Sequence, residues 1–181
     1  GIWIMNVNGS EQMQLTPNDM IAQYPSWSPD GNKIAFLAAQ SSQVDIWVID
    51  VDKTNLTRLM NAPMLKGPPQ WSLDGKSLLF SKKQLSWDIW VTSIDGHNQI
   101  QLTKSSGDNI DPSWSPDGKK IVFASNRAGS YDIWIMNADG TGQTQLTNEP
   151  EDEVKPQMSP NGERILFMVQ KPGYWNLCTI I

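Results

Sequence analysis

The 181-residue chain has one cysteine and one histidine. The single Cys178 excludes an intramolecular disulfide and does not separate oxidising from reducing compartments. The single His97 lies in the turn-like Asp95-Gly96-His97-Asn98, and no Gly-x-Ser-x-Gly elbow accompanies it. A hydrolase triad therefore cannot be assembled from this chain. No apolar run reaches the ~18 residues of a spanning helix. Basic residues cluster only at Lys82-Lys83 and Lys119-Lys120, and the net charge is −5. A nucleic-acid binder needs a basic face, so that class of partner is disfavoured. An initiator Met is also missing: Gly1 stands directly before the strand-like Ile2-Trp3-Ile4-Met5, as in a piece cut from a longer chain. A signal peptide upstream of such a piece would not be visible.

Tryptophan is abundant. Nine Trp stand beside four Phe and three Tyr. Trp this frequent points to a recurring structural position. Ser26-Trp27-Ser28-Pro29-Asp30-Gly31 returns as Gln70-Trp71-Ser72-Leu73-Asp74-Gly75, then as Ser113-Trp114-Ser115-Pro116-Asp117-Gly118, and in degenerate form as Gln157-Met158-Ser159-Pro160-Asn161-Gly162. The anchors Trp27, Trp71, Trp114 and Met158 are spaced by 44, 43 and 44 residues. Two independent series keep this period: Trp3, Trp47, Trp90, Trp134 and Cys178, and Leu15, Leu59, Leu102 and Leu146.

Each period reads as a four-stranded antiparallel sheet. Strand A is short, as in Pro112-Ser113-Trp114-Ser115, and Ser-Pro-Asp-Gly turns the chain after it. Strand B is Lys120–Ala124 and strand C is Asp132–Met136, both apolar at consecutive positions, so both faces of the sheet are covered. Strand D, Gln143–Thr147, is more polar, as an outer edge should be. Asn8-Gly9, Asp95-Gly96 and Asp139-Gly140 predict two-residue hairpins between C and D. Small sheets covered on both faces and repeating every ~44 residues are blades of an all-β propeller. The expected blades are 1–16 (strands C and D only), 24–60, 68–103, 112–147 and 156–181 (strands A, B and C).

Residues 112–127, Pro-Ser-Trp-Ser-Pro-Asp-Gly-Lys-Lys-Ile-Val-Phe-Ala-Ser-Asn-Arg, with Tyr-Asp-Ile-Trp-Ile-Met-Asn-Ala-Asp-Gly at 131–140 and Gln-Leu-Thr at 145–147, closely resemble the repeat of TolB-like β-propellers. The resemblance covers essentially the whole chain. Leu73 for the turn Pro, Lys53 for the hairpin Gly, and Met158 and Cys178 for Trp are departures that leave each blade intact. The resemblance implies a periplasmic or secreted bacterial protein and a non-catalytic module for a protein or peptide partner. It equally covers the propeller domains of prolyl-oligopeptidase- and tricorn-type serine peptidases, where the module would gate substrate. A carbohydrate-active propeller is a further alternative, which would need a His- or metal-lined channel.

The strands count as C-D, three times A-B-C-D, then A-B-C, one more than a closed four-blade ring needs. Six repeats, the number typical of the family, would need about 260 residues at this period. Either two blades lie beyond this chain, or chains complete one another, or the arc is open and its unpaired edges invite self-association.

Candidate contact residues lie on the D–A loop face: Tyr24, Asp108, Asp111, Glu151, Asp152 and Lys155. The positions three before each anchor, expected to line the channel entrance, are Tyr24, Pro68, Asp111 and Lys155, each of a different chemistry. Asp45, Asp88 and Asp132, with Asn176 last, precede each Ile-Trp or its equivalent and read as caps of the B–C turn. Trp87, Tyr131 and Trp175 beside them are rim anchors or packing under that turn. Asp50-Val51-Asp52 and Asp108-Asn109-Ile110-Asp111 offer oxygens, but turn-forming Asp explains them better than calcium. His97 reads as a solvated turn residue and Cys178 as a buried structural thiol. No cofactor and no metal is expected.

Overall fold

The computed structural model describes residues 1–40, 43–60 and 65–180, so the final Ile181 of the last expected blade lies outside the described residues. The described chain forms seventeen strands in five antiparallel sheets. The first sheet pairs β1 (Trp3–Ile4) with β2 (Met13–Gln14). Three four-stranded sheets follow in simple up-and-down order. They are β3 (Ile21–Trp27), β4 (Lys33–Gln40), β5 (Gln43–Asp50) and β6 (Thr57–Arg58); β7 (Leu65–Trp71), β8 (Ser77–Lys83), β9 (Trp87–Ser93) and β10 (Gln99–Gln101); and β11 (Asn109–Trp114), β12 (Lys120–Ser125), β13 (Asp132–Asn137) and β14 (Thr144–Gln145). The last sheet holds β15 (Glu153–Met158), β16 (Ile165–Lys171) and β17 (Tyr174–Ile180). No helix among the described residues is long and apolar enough to cross a membrane.

The core lies between the sheets, in layers. Ile2 and Leu15 of the first sheet meet Ile34, Phe36, Trp47 and Ile49 of the second. The other face of that second sheet, Ala35, Leu37, Ile46 and Val48, meets Trp71, Leu78 and Phe80 of the third. Leu79, Ile89 and Leu102 then meet Ile121, Phe123 and Met136, and Val122 and Ile133 meet Ile165, Phe167 and Val169. This explains the consecutive apolar residues: both faces of each full sheet are covered by a neighbour. All four phenylalanines, Phe36, Phe80, Phe123 and Phe167, occupy one repeat position on strand B and are at most 3% exposed.

The A–B turns are built alike. Ser28 Oγ donates to Asp30 Oδ1 at 2.6 Å and accepts from Lys33 N at 2.9 Å, while Asn32 N donates to the same Asp oxygen at 3.1 Å. Ser72 with Asp74, Ser115 with Asp117 and Ser159 with Asn161 repeat the arrangement, so Leu73 replaces Pro without altering it. The bond from Ser28 is the largest influence holding Asp30 down at about 2, and Asp74 and Asp117 are lowered by the equivalent serine bonds. A depressed carboxyl stabilises the fold above its unfolded value and loses that contribution as pH falls through its folded value. The thermal midpoint should therefore drop as pH falls from about 4 to about 2. Asn161 shows that an amide keeps the turn, so the triple variant D30N/D74N/D117N should show a shallower slope than wild type in a pH-resolved melting series, the remainder coming from Asp50, Asp52, Asp95, Asp139 and Glu151, which are also lowered.

The C–D hairpins are longer than expected, by one residue at Asn8-Gly9 and Asp139-Gly140 and by two at Asp95-Gly96, where Ser93 N donates to Asn98 O at 3.3 Å. Asn137 N donates to Thr141 O at 2.8 Å and Gly140 N to Asn137 O at 2.9 Å, closing a three-residue loop with Gly140 at φ 87. Strand A is also longer than expected. It pairs with strand B before a bulge as well as after it, as in Asn109↔Ser125 and Ser113↔Val122.

Candidate binding site

The bulge in each inner strand builds the site. It falls at Tyr24-Pro25 in β3, Gly67-Pro68-Pro69 in β7, Asp111-Pro112 in β11 and Lys155-Pro156 in β15. Its first residue is left-handed in all four, with φ of 54°, 73°, 52° and 54°. A proline follows each time. A bulge leaves its extra residues outside the ladder, and proline brings no N–H that would need a partner there. The second full sheet carries one residue more than the others. Gly67, rather than Pro68, therefore takes the position of Tyr24, Asp111 and Lys155.

β3 packs on β7, β7 on β11 and β11 on β15, so the four bulges converge. They line one open cleft of about 550 Å³, with Tyr24, Gly67, Asp111 and Lys155 around it and Gln70 and Gln157 beside them. The cleft offers an acid, a base, a phenol and amides from four different strands. Tyr24 is 50% exposed, whereas Pro112 and Pro156, which also line the cleft, are buried.

The structure separates the six candidate contact residues. Tyr24, Asp111 and Lys155 share the cleft. Asp108 and Asp152 engage the backbone of the preceding blade: Asp108 Oδ1 accepts from Trp87 N at 3.0 Å, and Asp152 Oδ1 from Tyr131 N at 2.9 Å. The Tyr131 hydroxyl adds a bond to Asp108 Oδ2 at 3.3 Å, and burial, reinforced by Asp108, pushes it up to about 12. Glu151 pairs with Lys171. The sequence showed acids in a loop; their partners, a main-chain N–H some twenty residues earlier, leave no pattern in it.

Asp45, Asp88 and Asp132 are buried. Asp88 does more than cap a turn. It accepts from Thr103 Oγ1 at 2.8 Å and from Asn109 Nδ2 of the next blade at 3.0 Å. Trp87 and Tyr131 pack against Ile110, Ala124 and Val154, whereas Trp175 is 47% exposed. Asp50 is engaged by Lys33 of β4 and by Asn55, and Asp52 by the backbone N–H of Thr54. Cys178 is half-buried rather than fully buried. Among the described residues no three His, Cys, Asp or Glu side chains converge as metal ligands.

Blades of four antiparallel strands packed face to face, with bulged inner strands around a common cleft, define a β-propeller of the repeat class. The family model of the TolB beta propeller domain matches residues 1–180, and the chain belongs to that family. Its fold is similar to that of TolB from Acinetobacter baumannii, with a TM-score of 0.83 and 23% identity over 98% of this chain and 45% of that one. A Mycobacterium tuberculosis puromycin-hydrolyzing peptidase is similar at a TM-score of 0.77 and 15% identity, over 94% of this chain and 32% of that one. Hydrazine synthase of Kuenenia stuttgartiensis is similar at 0.72 and 18%, over 93% of this chain and 32% of that one. At these identities the likeness concerns the fold. The chain spans less than half the length of each of these three. No curated protein matches it.

Proposed function

We propose that this chain is a non-catalytic binding module of a bacterial envelope or secreted protein, and that its axial cleft takes an extended peptide segment of a protein partner. The observation that supports this reading is the set of four left-handed bulges. They present Tyr24, Asp111 and Lys155 from three different strands into one cleft. An acid and a base at fixed separation suit a peptide, whose backbone and side chains carry both signs, better than a ligand of one charge. The phenol adds an amphipathic contact. Gly67 leaves a gap in the lining where a backbone can approach closely.

Peptides selected from a displayed random library against the chain should bind a Y24A/D111K/K155E variant at least ~10-fold more weakly, the equivalent of about 1.4 kcal/mol. Charge reversal at Glu151 and Asp152, outside the cleft, should change binding much less. Selected peptides that ignore the cleft variant but lose affinity on the loop variant would move the site to the rim.

A further inference from the structure

The junctions between blades repeat, and one of them differs in charge. Between the second and third four-stranded sheets, Asp88 is 5% exposed and well partnered. Its Oδ1 accepts from Thr103 Oγ1 and Asn109 Nδ2, and its Oδ2 from Gln101 Nε2 at 2.9 Å. Arg127 supplies the positive charge there. Its guanidinium donates to Asn109 Oδ1 and to Gln143 Oε1, both at 2.6 Å, and stacks 4.4 Å from the Trp134 ring centre.

Forty-four residues on, Asp132 stands for Asp88, Thr147 for Thr103, Gln145 for Gln101, Glu153 for Asn109 and Lys171 for Arg127. Part of the arrangement is kept, although Thr147 bonds Glu153 where Thr103 donates to Asp88 Oδ1. Gln145 Nε2 donates to Asp132 Oδ2 at 2.9 Å, and Thr147 Oγ1 accepts from Ile133 N at 2.9 Å. The amide donor, however, has become a carboxyl, and the cation has turned aside to Glu151. Asp132 is 1% exposed and Glu153 is 3% exposed. One oxygen of each, Asp132 Oδ1 and Glu153 Oε2, is buried without a hydrogen-bond partner. Glu153 N donates to Tyr131 O at 2.6 Å, which fixes residue 153 beside Asp132.

Two ionised carboxylates in a dry junction repel each other with little screening. Calcium would need about six to eight oxygens, and no third acidic, His or Cys ligand converges here among the described residues. A proton needs only two acceptors. We propose that Asp132 and Glu153 hold one proton between them at neutral pH, Glu153 donating to Asp132 Oδ1 as Asn109 donates to Asp88, so that this blade junction is a proton-dependent latch. Burial raises both carboxyls and nearby acids add to it, outweighing the bonds from the Glu149 backbone and Gln145 to Asp132 and from Thr147 to Glu153, which lower them. The groups facing the pair are Glu149, Glu151 and Asp152 of the loop before β15, Tyr131 before β13 with Asp108 on its hydroxyl, and Lys171 of β16. Lys171 is the one cation among them and is engaged by Glu151, so none of them takes the place of the proton.

An acid whose folded pKa is raised binds more protons folded than unfolded. Its contribution is complete below the unfolded carboxylate range and is lost as pH rises through the folded value. The wild-type thermal midpoint should fall by several degrees between about pH 5 and pH 8. Glu153→Gln, which restores an amide donor, should lose that slope and melt above wild type at the alkaline end. His97 is common to both proteins and cancels in the comparison. Parallel profiles would overturn the proposal. So would a calcium-dependent rise in the wild-type midpoint at the alkaline end that the variant lacks, which would put a metal where the proton is placed. Should Glu153→Gln not fold, carbon-13 NMR of the wild-type carboxyls decides: one buried carboxyl still protonated at neutral pH supports the latch, and full ionisation sinks it.

Discussion

Phe123→Ala should lower the unfolding free energy by about 3–5 kcal/mol, the usual result of deleting a buried aromatic ring. Phe123 is 0% exposed and lies between two blades, against Leu79, Ile89, Leu102, Ile121 and Met136. Strands A and C flank its own strand B in the sheet, so the surrounding backbone cannot collapse into the void, which places the cost in the upper part of that range. Domain stabilities are only about 5–15 kcal/mol, so the variant should sit close to its unfolding threshold at ambient temperature. Trp3→Ala is the informative contrast. Trp3 belongs to the more conspicuous aromatic series but is 60% exposed, and its loss should change stability by roughly 0.5 kcal/mol or less. Urea titrations of both variants read the difference directly. Equal losses would mean that the inter-blade layer is not where stability resides.

The isolated chain should associate in a concentration-dependent way, and the pair Leu166→Asp and Leu177→Asp should return it to the monomer mass. Leu177 is 70% exposed, whereas its repeat equivalents Ile46, Ile89 and Ile133 are each 0% exposed. Leu166 is 40% exposed, and its equivalents Ala35, Leu79 and Val122 are likewise 0%. Within the chain, these positions are covered by the following blade. At the opposite end, Trp27 is 55% exposed where Trp71 is 8%, because Trp71 packs on the preceding inner strand and donates its indole N–H to Ser26 O at 3.0 Å. Among the described residues no buried apolar cluster joins the last sheet to the first or second, and their end faces are exposed, so the arc is open. The two faces are complementary rather than alike. Their pairing is therefore head to tail, and it need not stop at two copies. Light scattering across a concentration series should show a rising mass for wild type. A sharp wild-type monomer at every concentration would show that these faces are tolerated in water.

The period, the antiparallel blades and the strand inventory were legible because each rests on a pattern that recurs in every copy. Consecutive apolar residues in strands B and C signalled two covered faces, and the inter-sheet layers bear that out. The phenylalanine series was equally periodic but was overshadowed by the more numerous Trp. The bulges were harder. A left-handed residue on a strand is a property of one dihedral angle, and Tyr24, Asp111 and Lys155 share no chemistry that would announce it. The recurring signal is the proline after each of them, which by itself is equally consistent with the start of strand A. In the second full blade Gly67-Pro68-Pro69 adds a residue, so the position three before the Trp is Pro68, one beyond the left-handed Gly67. Asp108 and Asp152 looked like loop acids because a carboxylate bonded to another blade's main chain has no sequence partner to betray it.

The proline-backed bulge has a consequence for how such a protein changes over generations. Elsewhere on a blade a side chain answers to the sheet above or below it, and altering one demands a matching alteration across the layer. The residue at the bulge is excused from that pairing: a tyrosine, a glycine, an aspartate and a lysine occupy it here on nearly one backbone. Each blade thus carries one letter that can be rewritten without disturbing the grammar of the fold. A ring of such blades can drift from one ligand to another while its framework stands still.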